Sequence, residues 1–360
     1  MFRFATYLSK SFLLIWLTVI FGFLILIGLL DSLANGSDIL TSEGGFSETF
    51  RYMMYRAPVI FDRVFMFSIM VAILLTFVRL IRQNELVALL GFGISATKQV
   101  ALLTPVVIGV ALLSIVTIDT FMPPSVRALQ AWGVGEYKTK NVTEQNPLWL
   151  EDTLQIVRAA ERDTMNSLGK LQFFARDDNG AVTTVTWADS AVYDGEMWYL
   201  SGVQTLPIEG ADGEPRLAFK VSSAKTWKTS QTPASIARLA AEPRDLSLSD
   251  MKTFRQKGNS GSKPSFAYSF WHMHRLTRPI AAFVLLLCAV PLMQKTGREA
   301  TGDTPLIIGI SIGFIYLIID GAMSTFAASG GIAVGWAITL PLFVFGLVGA
   351  YICVLTESMT

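Results

Sequence analysis

The sequence contains few of the residues from which enzymes and metal sites are usually built. Its 360 residues include two histidines and two cysteines. Charged residues make up 16% of the chain, against about 25% in a typical soluble protein, and the net charge is +1. A near-neutral chain lacks a basic footprint, so we expect no nucleic-acid partner. Cys288 and Cys353 both fall inside apolar runs, which predicts packing residues rather than a disulfide.

The scarce reactive groups are also poorly arranged for catalysis. His272 and His274 would point to different faces of a helix, and no acid close to them in the sequence completes a metal site. Interfacial packing is the better interpretation of this pair. The nearest match to a phosphate-binding loop, GNSGSK, has the wrong spacing. We therefore predict no catalytic residue, no metal site and no cofactor in this chain.

Long apolar runs dominate both ends of the sequence. A helix needs about 20 apolar residues to cross about 30 Å of hydrocarbon. Six segments qualify, at about 12–30, 58–78, 99–118, 270–293, 304–326 and 332–355. The first is too long for the core of a cleavable signal peptide, and no small-residue cleavage site clearly follows it. The sequence therefore predicts a bundle of six transmembrane helices.

Basic residues near the ends of the runs predict the orientation of the chain. Lys and Arg are enriched in cytoplasmic loops. With both termini in the cytoplasm, the cytoplasmic segments hold Arg3, Lys10, Arg79, Arg82, Lys98, Lys295 and Arg298. This orientation places residues from about 123 to 268 on the outer side of the membrane.

The polar middle of the chain has the signals of a β domain. β-Branched and aromatic residues recur in KLQFFARDDNGAVTTVTWADSAVYDGEMWYL, and DNG at 178–180 and DG at 194–195 predict hairpin turns. Six to ten strands in roughly 100 residues favour a small sandwich or jelly roll. Ser247 is a predicted helix cap, with Asp250 three residues later. The predicted domains are helices 1–3 in 1–122, the β domain in 123–268 and helices 4–6 in 269–360.

Charge within an apolar run is costly, so the charged residues Asp62, Arg63, Asp119 and Asp320 are candidates for a function. Asp62 and Arg63 either neutralise each other or face a substrate cavity. Asp119 ends the third run and fits an interfacial position. Asp320 lies deeper, and acts either as a proton-relay carboxylate or as a hydrogen-bond partner of a neighbouring helix. These acids leave an alternative function open, a secondary transporter that uses Asp320 and Asp62 to move protons or ions.

The segment RLIRQNELVALLGFGISATKQV, residues 79–100, joins the second and third runs but is itself largely apolar. Asn84 is predicted to cap a short helix with Glu85 in its first turn, where a carboxylate favours the helix dipole. The predicted apolar side of this helix consists of Leu86, Leu89, Leu90 and Gly93. Either the inner leaflet of the membrane or a protein partner would cover that side.

Several motifs carry a resemblance to a known family. In chain order they are NELVALLGFGIS, MPP, KTWKT, DLSLSDM, RLTRPIAAFVLLLCAVPL and GISIGFIYLIIDGAMSTFAASGGI. Each is modest alone, but their order and spacing resemble the LptF/LptG lipopolysaccharide-export permeases over essentially the whole chain. KTWKTSQTP and the approach to the fourth run are more similar to the LptG branch than to LptF.

The resemblance implies a transport subunit of the bacterial inner membrane rather than an enzyme. In this family an LptF–LptG pair forms a cavity that opens laterally to the outer leaflet. Cytoplasmic LptB ATPase subunits, which bind the ATP and Mg, close the cavity and push lipopolysaccharide upward. β-Jellyroll domains, with those of LptC and LptA, pass the lipid across the periplasm. The implied partners are an LptF-like permease, two LptB-like subunits, an LptC-like anchored protein and an LptA-like bridge.

Three sets of site residues complete the expectations. The family's coupling helix, which docks in a groove of the ATPase, maps onto Asn84, Glu85, Leu86, Leu89, Leu90 and Gly93. Residues 26–40 lack the lysines that often bind lipid phosphate in this family, so either the lipid carries less phosphate or other cations replace them. The replacing rim would consist of Arg51, Arg56, Arg63 and Arg127. Small residues, which allow close helix approach, predict a lateral gate at Gly22, Gly28, Gly309 and Gly313.

Overall fold

The computed structural model describes residues 2–39, 46–137, 142–144, 147–152, 155–164, 166–177, 180–208, 220–227, 229, 231–256, 263–296 and 303–357. The helices before the sheet are α1 (Phe2–Ala34), α2 (Gly36–Ile39), α3 (Phe46–Arg82), α4 (Glu85–Gly91) and α5 (Ala96–Trp132). The helices after the sheet are α6 (Pro233–Ala240), α7 (Leu248–Gln256), α8 (Ser265–Leu276), α9 (Arg278–Thr296), α10 (Asp303–Ala328) and α11 (Val334–Glu357).

The chain divides into two compact units. The helical unit contains residues 1–34, 56–122 and 269–360, and the sheet unit contains residues 35–55 and 123–268. Helices α3 and α5 are each 37 residues long and contribute residues to both units. They extend well beyond the apolar runs that mark them in the sequence.

Five described helices are long and apolar enough to cross a membrane, namely α1, α3, α5, α10 and α11. The run predicted as a single fourth span is instead two helices, α8 and α9, which meet at an angle of 53°. The bend follows from Pro279, because proline has no N–H and disfavours a helical conformation of the preceding residue. Counting the bent pair as one broken span gives six spans.

The helical unit is held together by a continuous apolar core. Leu8 and Phe12 of α1 belong to it, as do Phe65 and Ile69 of α3, all with no exposed surface. Side chains from α4, α5, α9, α10 and α11 complete the core. The outward faces of the long helices remain apolar, as expected of helices surrounded by lipid.

The sheet unit contains six antiparallel strands that pair in chain order. They are β1 (Leu148–Asp152), β2 (Gln155–Thr164), β3 (Ser167–Arg176), β4 (Val182–Tyr193), β5 (Trp198–Pro207) and β6 (Lys220–Trp227). Trp198 and Trp227 lie opposite each other in β5 and β6, and both are buried in the apolar core that covers one face of the sheet. Ile236 of α6 packs into the same core.

Local signals in this unit formed as the sequence predicts. The backbone N–H of Asp250 donates to the Ser247 hydroxyl at 3.1 Å, which confirms the predicted cap of α7. Asp194 forms the predicted turn between β4 and β5, since its Oδ1 accepts from the backbone N–H of Glu196 and Met197. These two bonds lower the pKa of the Asp194 carboxyl, because they stabilise its charged form. In the other predicted turn, residues 178 and 179 lie outside the described part of the chain.

The described strands make one sheet with neighbours in sequence order. A jelly roll needs two sheets with strands that cross between them. The antiparallel β domain is therefore present, and the finer assignment to a sandwich or jelly roll stays a prediction.

Candidate functional site

Helix α4 is the short helix predicted between the second and third spans, but Asn84 does not start it as expected. The backbone of Asn84 is left-handed, with φ of 58° and ψ of 13°, and its side chain makes no capping bond within the described structure. Asn84 therefore occupies the predicted N-cap position, but it lacks the predicted side-chain capping bond. Asparagine is one of the few residues with a side chain that tolerates this conformation. It allows the chain to turn sharply from the end of α3 into α4.

The leucines of α4 face the protein's own core rather than the exterior. Leu86 and Leu89 are only 2% and 6% exposed, and Leu90 is half-buried. The outer side is formed by other residues, of which Val87 is 62% and Phe92 82% exposed. The predicted face is therefore reversed. Periodicity identified an apolar side of the helix, but the core of the helical unit covers it.

Glu85 lies in the first turn of α4 and is bound within the chain. The Tyr7 hydroxyl of α1 donates to both carboxylate oxygens, at 3.1 and 3.0 Å. Because Tyr7 and Glu85 are 78 residues apart, nothing in the local sequence indicated this contact.

The turn after α4 is fixed by two side chains from the start of α5. Gly93 has a φ of +72°, which favours glycine, and its carbonyl accepts from Lys98 Nζ at 2.9 Å. The buried amide of Gln99 donates to the carbonyl of Ile94 at 3.1 Å. The segment from α3 to α5 is therefore an anchored structure with an apolar outer face, and not an unstructured loop.

A second polar site surrounds the bend between α8 and α9. Three side chains between positions 274 and 278 each contact an acid on a different helix. The pairs are His274 with Asp320 of α10, Arg275 with Asp119 of α5, and Arg278 with Asp62 of α3. We call these six residues the charged layer. It joins the broken span to three other helices.

Asp62 and Arg278 form the most buried pair of the charged layer. Arg278 Nη2 donates to the Asp62 carboxylate, and the two side chains are 5% and 1% exposed. Arg278 is thus a neutralising partner of Asp62 that the sequence did not indicate, and Arg63 is exposed. Arg278 also lies over the Phe65 ring, with its guanidinium carbon 5.9 Å from the ring centre. Its Nε and Nη1 have no hydrogen-bond partner within the described residues.

Asp320 contacts a residue of a neighbouring helix, as expected if it is a hydrogen-bond partner between helices. Its carboxylate oxygens lie 3.0 and 3.1 Å from His274 Nε2. An acid that is 46 residues away in the sequence therefore lies beside this histidine. His274 also packs against the Phe270 ring, with ring centres 5.3 Å apart. No cluster of three or more potential metal ligands occurs in the part of the chain that the structure describes.

Asp119, predicted to be interfacial, forms the third pair. Its Oδ1 lies 3.4 Å from Arg275 Nη1, and its side chain is 35% exposed while that of Arg275 is 3% exposed. A small pocket lies among α3, α8, α9, α10 and α11. It is lined by Met66, His274, Thr277, Arg278, Ala281, Tyr316, Asp320, Ile338 and Leu342. The layer can therefore fix helices to one another and hold a few polar groups in an apolar surrounding.

The four arginines of the predicted cationic rim have different environments. Arg56 is buried and its Nε donates to Asp31 at 2.8 Å, so it is not available at the surface. Arg51 packs over the ring of Trp132, at 5.1 Å from its centre. Arg63 and Arg127 are exposed. Arg56 and Arg63 belong to the helical unit, whereas Arg51 and Arg127 belong to the sheet unit.

The glycines of the predicted lateral gate also separate into two groups. Gly309 and Gly313 face α3 of the same chain: a methyl group added at Gly309 would lie 2.5 Å from Leu74, and one at Gly313 would lie 3.1 Å from Met70. This close-packing face therefore does not point to a partner. Gly28 is buried, and Gly22 is exposed with no atom within 4 Å of an added methyl group.

Comparison with known proteins adds a match over nearly the whole chain. The family described as lipopolysaccharide export system permease LptF/LptG matches residues 6–354. The LptG permease protein of Escherichia coli K12 is 23% identical over 181 residues, which is 50% of this chain and 49% of that protein. LptG of Haemophilus influenzae is 21% identical over 207 residues, or 56% of each chain. The chain thus spans about half the length of these curated relatives, and their names agree with the predicted LptG-like character.

Proposed function

Because the chain belongs to the LptF/LptG family of lipopolysaccharide export permeases, we propose that it is one permease half of an ATP-driven exporter. The exporter would extract lipopolysaccharide from the inner membrane and pass it to a periplasmic bridge. The curated relatives are permease proteins rather than enzymes, so ATP and Mg would be held by partner subunits. Both termini would lie in the cytoplasm and the sheet unit, as a jellyroll-type domain, in the periplasm.

The proposed assembly contains this chain, an LptF-like permease, two LptB-like ATPase subunits, an LptC-like anchored protein and an LptA-like bridge. The observation that carries this proposal is the outer face of α4. Val87 and Phe92 are exposed beside the partly buried Glu85, although α4 itself is anchored by buried leucines. A rigid helix with an exposed apolar face and a carboxylate at its edge is suited to a groove on a cytoplasmic partner. We therefore move the proposed docking face from the leucines to Val87 and Phe92.

The experiment is capture of the ATPase and the second permease by affinity-tagged chain from its native membranes. Phe92→Asp should abolish capture of the ATPase but leave the second permease bound. Tyr199→Asp, at an exposed position of β5, is the matched control and should retain both. If Phe92→Asp retains the ATPase at the parent level, α4 does not dock there.

The proposed lipid path uses the candidate residues that are exposed on the surface of the chain. We propose that Gly22 and the exposed side of α1 line a lateral opening towards the partner permease. Arg51, Arg63 and Arg127 are retained as candidates for binding lipid phosphate, whereas Arg56 is assigned to its ion pair with Asp31. Cysteines along α1 should crosslink to the fifth span of the partner permease. Crosslinks confined to α10 of the same chain would contradict this assignment.

The family match to export permeases favours the exporter over the proton- or ion-coupled alternative. Asp62 and Asp320 were its proposed carriers, and both are bound to cationic or histidine partners on other helices. These contacts support a role in packing, because a charge inside an apolar bundle needs a partner.

A further inference from the structure

The contact between Tyr7 and Glu85 links two helices that have separate roles in the proposed exporter. Tyr7 is in the second turn of α1, whose exposed side we assign to the lateral opening. Glu85 opens α4, which we assign to the ATPase. The hydroxyl lies within 3.1 Å of both carboxylate oxygens. A hydrogen bond to an ionised acceptor is about twice as strong as one between neutral groups.

The same two helices are also joined by neighbouring apolar residues. Leu8 follows Tyr7, Leu86 follows Glu85, and both leucines are buried in one continuous core. The first turn of α4 is thus bonded to α1 through Tyr7, and the leucines that follow both residues belong to the same core. A displacement of α4 would therefore act on this end of α1 through these contacts.

Much of α1 is otherwise weakly held by its own chain. Leu14, Phe21 and Leu29 are each about half exposed or more. A straight helix transmits a displacement along its axis, and Gly22 lies 15 residues, or about 22 Å, beyond Tyr7. The contact at Tyr7 is therefore well placed to pass movement from one side of the membrane towards the other.

We propose that Tyr7 is a positioning residue that ties α1 to α4, so that displacement of α4 by the ATPase moves the helix lining the lateral opening. This inference rests on the proposed function. It assigns Glu85 two separable properties: its charge faces the partner, and its oxygens hold Tyr7.

Two substitutions separate these properties. Tyr7→Phe removes only the hydroxyl and leaves the charge of Glu85 in place. Glu85→Gln removes the charge but keeps an oxygen that accepts from Tyr7. Tyr351→Phe, at an exposed position of α11, is the control for loss of a hydroxyl. Each variant is assembled with the ATPase and the second permease in proteoliposomes, and ATP hydrolysis and lipopolysaccharide delivery are measured together.

Tyr7→Phe should retain the ATPase and hydrolyse ATP within about twofold of the parent, yet deliver about threefold to tenfold less lipid per ATP. Glu85→Gln should instead weaken retention of the ATPase in the complex. Tyr351→Phe should behave as the parent. An unchanged yield of lipid per ATP in Tyr7→Phe would overturn the proposal.

A distance measurement on the chain without partners tests the same inference independently of transport. Spin labels are attached at Lys10→Cys in α1 and Val87→Cys in α4, with Cys288 and Cys353 replaced by alanine. The distribution of distances should broaden in Tyr7→Phe and not in Tyr351→Phe. If the parent complex delivers no lipopolysaccharide, the proposed function fails, and the label distances alone decide the positioning proposal. An unchanged distribution would refute it.

Discussion

The two breaks in the helical unit are built in opposite ways. At α4, Val87 and Phe92 are exposed, and Glu85 is held by a hydroxyl near the surface. At the bend between α8 and α9, Arg275 and Arg278 are buried and bind acids on other helices. Contacts near water are weak and exchangeable, whereas a buried charge cannot lose its partner without a large penalty. A break between helices can therefore provide either a docking surface or a fixed junction, depending on burial.

The largest expected effect comes from breaking the fixed junction. Asp62→Asn leaves the buried guanidinium of Arg278 without its counter-charge, which should cost about 3–5 kcal/mol of unfolding free energy. Unfolding of the full chain in detergent measures it. Arg63→Gln, at the exposed neighbouring position, should change stability by about 0.5 kcal/mol or less. Replacing both partners, Asp62→Leu with Arg278→Met, should recover most of the loss. A double variant as unstable as Asp62→Asn would contradict this account.

The next largest effect concerns the close approach of α10 to α3. Gly309→Val should cost about 1–3 kcal/mol, since its side chain would overlap buried Leu74. Gly22→Val is the matched control, because open space surrounds Gly22. Unfolding of both variants in the same detergent decides the comparison. Equal stability would show that α10 does not pack on α3 through Gly309.

Local sequence patterns correctly predicted the structural features that depend only on residues close together in the chain. The apolar runs, the Ser247 cap and the turn at Asp194 were predicted because hydrophobicity, capping and turn chemistry act over a few residues. The bend at Pro279 has the same local origin and could have been found from the proline, but the length of the apolar run obscured it.

Contacts between distant residues could not be derived from the sequence alone. Asp62 and Arg278 are 216 residues apart, so no local pattern in the sequence indicated this pair. Periodicity gave α4 an apolar side, but it cannot distinguish burial in the chain's own core from burial in a partner. The reversed face of α4 and the inward-facing glycines of α10 have this same cause.

Substitutions at α4, the exposed break, should change binding of the ATPase rather than the stability of the fold. Loss of the Glu85 charge should weaken capture of the ATPase by roughly 1–3 kcal/mol, and Glu85→Lys should weaken it further, since a basic residue at the groove would then be repelled. The stability of the fold should be almost unchanged. An acidic substitution in that groove should restore part of the binding. Glu196→Lys, at an exposed position of the β4–β5 turn, is the control for charge reversal. Full ATPase capture and full lipid export by Glu85→Lys would show that α4 belongs to the membrane surface.

A smaller effect is expected where the charged layer is partly exposed. The side chains of His274 and Asp320 are 17% and 26% exposed, and Asp320→Asn removes a charge from an apolar span, so it should cost about 1 kcal/mol or less. Asparagine can still accept from the imidazole, and lipid export should persist. Loss of export from a complex of normal stability would instead favour the proton- or ion-coupled alternative.

The smallest effect is expected for a charged pair in water, which extends the comparison to the sheet unit. Glu144 binds Lys170 at 2.8 Å, and the hydrogen bond from this ammonium group lowers the pKa of the Glu144 carboxyl. A carboxyl whose pKa is lower in the folded chain than in the unfolded chain stabilises the fold at pH values above its unfolded pKa. This stabilisation disappears as the pH falls through the folded pKa. Because both side chains are more than half exposed, Glu144→Gln should shift the melting temperature of the full chain very little at pH 7. Parent and variant should converge further in acid, and a difference that grows as the pH falls would show that Glu144 contributes in another way.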